Sequence, residues 1–337
     1  AAGLAHDIGH PPFGHLGEQT IDRWMGDVSG GCFEGNAQTF RKLIRFDTKN
    51  GTDAGLELSA VTLAATAKYP WRKDLHEESR RNKYSSYPDE NKSETNDFPY
   101  LDRCRKWFIC NNKRLYRQTA EAAIMDIADD ITYAMHDLQD FVSSGLINLD
   151  SLYVQLKTLR DNIDEKGALL TTNTPTMRAY SKQLSLLKTY NDECYDPDAF
   201  KDAINKVMKA FTFSTNELSL ELRSSISGTI AQWIGDCIEK VQVDGSSDLK
   251  QRAEYDPTIH LSKETWHLVQ LLKQVIRVNI IDTPQLQIYQ RSQAKVLLDL
   301  LERLRIWTTE MNSAPNLPTN LKWLLQSEKV PIKEHDS

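Results

Sequence analysis

Apolar residues recur along most of this chain at intervals of three and four, the period of helices that bury one face. Ala37, Phe40, Leu43 and Ile44 fit such a face after a loop around Gly30, and Leu58, Val61 and Ala65 fit another that stops before Pro70. The strongest pattern is QTAEAAIMDIADDITYAMHDLQDFV, Gln118 to Val142. Within it Ile124, Ile127, Ile131, Met135 and Leu138 fall within about 80° of one another. Weaker helical stretches follow, separated by TTNTPT (171–176), CYDPD (194–198) and VDGSSD (243–248), each rich in turn formers. Ser262 is placed to N-cap a helix carrying Leu268, Leu271, Leu272, Val275 and Val278. After Pro284, Val296, Leu297, Leu300, Leu301 and Leu304 predict a further helix, ended by NSAPNLPTN (312–320). With no internal repeat and no run of alternating strand residues, the expected fold class is all-α.

One segment breaks the pattern. From Trp71 to Asp97 the chain reads WRKDLHEESRRNKYSSYPDENKSETND, polar and charged, which predicts a long loop of the kind that often serves as a lid.

Composition changes this picture little. A chain of 337 residues, 40% hydrophobic and 26% charged, buries a sizeable core as one large or two ordinary domains. Its net charge of -6 gives no global pull toward nucleic acid or anionic membrane, so an anionic substrate must be met by local cations or a metal. Cys32, Cys104, Cys110, Cys194 and Cys237 form no CxxC pair and suit neither a disulfide framework nor a zinc ribbon, so a reducing cytoplasm is the expected setting. No run of eighteen apolar residues occurs, and AAGLAHDIGH lacks the features of a signal peptide. AAGLAHD reads as the last turns of a helix already under way, which predicts that the chain begins inside a domain.

Candidate chemistry gathers in two places. HDIGHPPFGHLGE, His6 to Glu18, holds three histidines and two acids. Gly9, Pro11 and Pro12 stop the helix just after His6 and Asp7, so both side chains project from a helix end where they can reach one ion. Imidazole and carboxylate together suit manganese, magnesium, iron or zinc. The second place is the long helix, where Asp126, Asp129, Asp130, Tyr133, Asp137 and Asp140 share a sector of roughly 100° away from the apolar stripe. Taken alone, the acidic sector is what a solvated helix face usually looks like, while the histidine-rich stretch points to a functional site over a polar loop.

Four stretches, HDIGHPPFGHLGE (6–18), FEGNAQTFR (33–41), LAATAKYPW (63–71) and IADDITYAMHDLQD (127–140), resemble in content and order the motifs of the HD-domain phosphohydrolases. More narrowly, they resemble the bacterial deoxyguanosine triphosphate triphosphohydrolases, a family of dNTP triphosphohydrolases. The resemblance covers the first 140 residues, and 145–337 shares only helical character. It implies an HD-type helical core over 1–145, with a polar loop or lid at 71–117, followed by a helical C-terminal region at 146–337. His6 and Asp7 match the metal-binding doublet and Asp129 the distant metal-binding Asp, which implies a divalent cofactor, Mn2+ or Mg2+. His15 matches the acid-base histidine, Glu18 the residue that holds it, and His10 a second histidine facing the phosphates. Tyr133 and Asp137 match residues contacting the deoxyribose and its 3'-hydroxyl, Glu34 and Asn36 match other parts of the site, and Lys83, Tyr84 and Tyr87 loosely match a substrate loop.

The activity so implied is hydrolysis of a dNTP, dGTP foremost, to deoxynucleoside and inorganic tripolyphosphate. Another HD phosphohydrolase, acting on a nucleoside monophosphate or signalling nucleotide, shares the ligands, and a catalytically silent nucleotide-binding HD protein is the rival from outside enzymes. The resemblance also implies a homo-oligomer, often a hexamer, and a nucleotide or single-stranded DNA effector. The family's first metal-binding His lies upstream of the doublet, whereas this chain begins five residues before His6. Three ligands are therefore visible, and a segment of a longer protein is expected.

Overall fold

A computed structural model describes residues 1–29, 31–46, 55–70, 97–105, 109–110, 113–114, 118–191, 194–211, 220–243 and 259–310. Helices dominate, as the apolar spacing predicts. In chain order they are α1 (Ala2–Ala5), α2 (Gly14–Ser29), α3 (Gly35–Arg41), α4 (Ala60–Thr66), α5 (Phe98–Cys104), α6 (Ala120–Ser143), α7 (Leu149–Asn162), α8 (Pro175–Asn191), α9 (Pro197–Ala210), α10 (Leu220–Glu239), α11 (Lys263–Ile276) and α12 (Pro284–Glu310). Two antiparallel ribbons are the strand elements among the described residues. Ile109–Cys110 pairs with Lys113–Arg114, and Val241–Val243 with Ile259–Leu261. The fold class is all-α.

The chain forms two compact units. The first is built from described residues of Ala1–Met125 and Tyr289–Ser337, the second from those of Asp126–Ser246 and Ile259–Ile288. In the first, Phe40, Leu43, Ile44, Leu63, Ala67, Leu101 and Cys104 form the core, with Ala5, Ile8 and Ala37 packed against it. That cluster seats the histidine-rich stretch, because Ala5 and Ile8 flank His6 and Asp7. In the second unit Ile131, Met135 and Leu138 of α6 join Leu152, Leu156, Tyr180, Phe200, Ile204, Leu268 and Leu272 in one larger core. Residues of this size each stabilise a fold by about 1.5–3 kcal/mol when fully buried.

Side-chain caps mark several helix starts. Ser262 accepts from the Thr265 N–H, as the sequence predicts, and Asp196 accepts from the Asp198 and Ala199 N–H groups at the head of α9. Two helices run on into π-helical turns, α3 into Lys42–Phe46 and α11 into Arg277–Ile281.

Three expected faces are turned. Ile124 is exposed, because the buried side of α6 there runs through Ala122, Ala123 and Met125. Val61 is exposed on α4, whose buried side is Leu63, Ala64 and Ala65. On α12 Leu297 is buried, whereas Val296, Leu300 and Leu304 are exposed. Periodicity fixes which residues share a face without fixing which face meets the core. The polar stretch at 71–96 and the Pro- and Asn-rich stretch at 312–320 lie outside the described residues.

Candidate active site

His6 stands at the C-cap of α1, where the helix ends. Its Nδ1 lies 2.8 Å from the Gly3 carbonyl oxygen, which only accepts, so Nδ1 carries the proton. In the neutral ring Nε2 then keeps its lone pair, 3.1 Å from Asp7 Oδ2. The other carboxylate oxygen, Oδ1, is 3.3 Å from His10 Nδ1, a buried atom with no hydrogen-bond partner among the described residues. Electron-pair donors from two side chains that approach this closely need a proton or a cation between them. The imidazole and carboxylate set, with the Nδ1–H tied to a backbone carbonyl, fits a divalent metal ligand of the first transition row or magnesium.

Helix α3 braces this turn. The Gly9 N–H donates to Thr39 Oγ1 at 3.0 Å, and that hydroxyl donates onward to the His6 carbonyl at 3.0 Å. Only glycine fits at position 9, because a Cβ there would stand 2.1 Å from Thr39 N and 2.2 Å from Gly35 O. The His10 ring packs over Gly35, 3.2 Å from where its Cβ would be. Phe13, half-exposed, takes a left-handed φ of 69°, a conformation costly for a bulky residue.

At the head of α2, His15 Nδ1 meets Glu18 Oε2 at 3.0 Å, and Glu18 Oε1 accepts the Gly35 N–H at 2.8 Å. The hydrogen bond to Glu18 raises the His15 pKa above its ordinary value, against desolvation and the charge of Lys68. For Glu18, burial pushes the carboxyl up, but the bonds from His15 and the Gly35 N–H outweigh it and hold the pKa below the ordinary value. The His10 and His15 rings meet edge to face, with centroids 5.6 Å apart. Donor atoms of His10, His15 and Glu18 all lie within 4.8 Å, so the same three residues have the spacing of a cation site. The closed His15–Glu18 hydrogen bond favours an acid-base pair instead.

Glu34 is a local brace, accepting from the Ala37 N–H at 2.8 Å as the N-cap of α3 and from Asn36 Nδ2 at 2.7 Å. Asn36 and Glu34 are thereby held beside the Glu18 and Gly35 contact. Lys68 adds a buried positive charge whose field reaches His15. Reading the motifs assigned it no role, although a lysine between Ala67 and Tyr69, just ahead of Pro70, was a visible signal.

Asp129, Tyr133 and Asp137 belong to the second unit, on α6. Asp129 is half-buried, and its neighbour Asp130 is ion-paired with Lys273 of α11. Desolvation raises the Tyr133 pKa, helped by Asp137 and opposed by Arg277, while desolvation and then Asp140 raise that of Asp137. Arg277 and Lys273 carry no motif and were not legible in advance. Lys83, Tyr84 and Tyr87 lie outside the described residues.

No family model matches the chain. Deoxyguanosinetriphosphate triphosphohydrolase-like proteins do. That of Corynebacterium glutamicum (strain R) is 42% identical over 175 residues, 50% of this chain and 37% of the relative. That of Streptomyces coelicolor is 38% identical over 156 residues, 45% and 34% of the two chains. A second such protein of Vibrio cholerae is 29% identical over 330 residues, 95% of this chain and 65% of the relative. The chain thus spans between about a third and two thirds of the length of these relatives. The chain is thus similar, over part of their length, to proteins named deoxyguanosinetriphosphate triphosphohydrolase-like.

Proposed function

We propose that this chain carries the catalytic core of a metal-dependent dNTP triphosphohydrolase, acting on dGTP foremost and releasing deoxynucleoside and inorganic tripolyphosphate. The observation that carries the reading is the His15–Glu18 pair, closed at 3.0 Å and next to the His6, Asp7 and His10 donors. A nucleotide-binding module has no need of a histidine tuned this way.

His6, Asp7 and Asp129 would hold a divalent ion, Mn2+ or Mg2+. When bound, that ion supplies Lewis-acid polarisation of the α-phosphate and offsets charge in the transition state. Water adds to the α-phosphorus, and the bond from phosphorus to the sugar 5'-oxygen breaks. Glu18 fixes Nδ1 of His15, so proton movement takes place at Nε2. A raised pKa keeps that imidazole charged to higher pH, which suits protonation of the departing 5'-oxygen. His10 and Lys68 meet phosphate oxygens. Tyr133 and Asp137 hold the deoxyribose, and Glu34 and Asn36 keep the Glu18 carboxylate in register. The reading includes the cytoplasmic setting, homo-oligomeric assembly and the nucleotide or single-stranded DNA effector that the resemblance implies.

The test is phosphorus NMR of the products formed from dGTP with manganese. Tripolyphosphate that disappears in Asp129→Ala and in His15→Ala is expected. Pyrophosphate or orthophosphate would point to another HD phosphohydrolase, and no turnover to a silent nucleotide-binding protein.

A further inference from the structure

Gly35, a single buried backbone position, holds two residues beside the acid-base histidine. Its N–H donates to Glu18 Oε1 at 2.8 Å. The His10 ring fills the place of its missing side chain, with Cε1, Nδ1 and Nε2 all 3.2–3.3 Å from where a Cβ would stand. His15 completes the group, its Nδ1 3.0 Å from Glu18 Oε2. One ligand atom from each of His10, His15 and Glu18 lies within 4.8 Å of the other two. Donors around a tetrahedral zinc ion, each about 2.1 Å from it, stand about 3.4 Å apart. The His15 and Glu18 atoms are already that close, and the wider gaps exceed it by no more than about 1.4 Å. The His15 side chain, 83% exposed, has room to make up the difference. Two imidazoles and a carboxylate suit zinc better than manganese or magnesium and leave its fourth position to water. The Gly35 N–H on the far carboxylate oxygen fixes the orientation of Glu18, as a partner of a ligating carboxylate does. Asp7 adds negative charge at His15, and Lys68 opposes it.

We propose that His10, His15 and Glu18 form a zinc site, separate from the His6 and Asp7 donors, that inhibits the enzyme when filled. All three residues belong to the first unit. The bond that closes the His15–Glu18 pair is made by a proton, and a zinc ion takes its place while the proton leaves to solvent. With Nδ1 on the ion, His15 cannot exist as the imidazolium that gives up a proton, and Glu18 is drawn away from orienting it. The binding stands on these residues alone, and the inhibition rests on the function proposed above.

Zinc titration of the full-length protein tests this, read by competition with a chromophoric chelator and by the imidazole proton shifts of His10 and His15. Zinc is expected to move both signals together, and His10→Gln to weaken the binding that moves His15 by at least ~10-fold, the smaller loss usual for even an outer partner of a ligand. A His15 signal that zinc leaves in place, or one that responds as readily in His10→Gln, overturns the proposal. Should His10→Gln fail to fold by circular dichroism, His15→Gln decides, because that exposed side chain supports no packing. Loss of one zinc equivalent there supports the site, and an unchanged stoichiometry overturns it. In His6→Asn the His15 signal should still respond, and a response lost with His6 overturns the separate site. With the zinc site filled, release of tripolyphosphate from dGTP and manganese should stop, and undiminished release overturns the inhibition. A parent that releases no tripolyphosphate even without zinc refutes the proposed function, whereas the zinc site stands or falls by the titration.

Discussion

Gly9→Ala tests how the turn from His6 to His10 is held. An added Cβ would lie 2.1 Å from Thr39 N, 2.2 Å from Gly35 O and 2.7 Å from Gln38 C, all backbone atoms of α3 or its cap region. Ordinary contact begins at 3.4 Å, so Thr39 N must retreat by about 1.3 Å. That breaks the Gly9 N–H to Thr39 Oγ1 bond, now 3.0 Å, and loosens the Thr39 bond to the His6 carbonyl. Two bonds at about 1 kcal/mol each, with about 1–3 kcal/mol for the overpacked contact, give a loss of roughly 3–5 kcal/mol. At ~2–4 °C per kcal/mol the melting temperature falls by roughly 6–20 °C. Thr39→Val removes both bonds with no clash, so its loss should be about 2 kcal/mol. Because the two variants remove the same bonds, their double variant should lose less than the sum. Thermal melting followed by circular dichroism, with manganese titration alongside, provides the readout. A Gly9→Ala protein melting within 1 °C of the parent on the ~6–20 °C scale would refute the close approach of the turn to α3.

Further expectations concern titration and burial. Glu18→Gln should lower the His15 pKa toward its ordinary 6.5, read from the imidazole proton shifts by NMR. With the His15 pKa raised and that of Glu18 lowered, the pair stabilises fully between about 4.5 and 6.5, the two ordinary values. That contribution fades as pH rises through the folded pKa of His15 or falls through that of Glu18, so a Glu18→Gln melting deficit confined to other pH values would contradict it. His267 is buried with Nδ1 donating to the Lys263 carbonyl and Nε2 accepting the Asp196 N–H, and desolvation holds its pKa below 6.5. It contributes fully above pH 6.5 and progressively less below, because the unfolded imidazole takes up a proton the native one refuses. His267→Leu should therefore cost about 1–3 kcal/mol at pH 8 and less at pH 5 by denaturant titration, and the reverse order would refute the neutral assignment. Gln274 buries an amide whose Nε2 and Oε1 have no hydrogen bond among the described residues, so Gln274→Leu should be neutral or raise stability by up to about 1 kcal/mol. A loss above that in chemical denaturation would show that the amide has a partner.

The long helix, the Ser262 cap and the all-α class were legible because each rests on local spacing. The His15–Glu18 pair was implied by the resemblance alone, and its contact follows from a helix, α2, that the apolar spacing did not announce. Burial direction was not legible, as Ile124, Val61 and Leu300 show, because it depends on which element packs against the helix. Lys273 lies 143 residues from the Asp130 it engages, and no local pattern announces a contact of that separation. Gly9 stood in the quoted motif, but its need for glycine arises from α3, some thirty residues later.

The first unit takes its material from both ends of the chain. Trp24 of α2, the helix that carries His15 and Glu18, and Glu302 of α12 both belong to that unit. During synthesis at ~5–20 residues per second, Glu302 follows Trp24 by roughly 15–55 s. Asp126–Ser246 and Ile259–Ile288 are all made in that interval, so the second unit can close first. The helix bearing His15 and Glu18 waits for the last element of its unit until nearly the whole described chain has emerged. A nascent chain released before α12 would therefore carry every motif in the first 140 residues and still lack the last helix of the first unit.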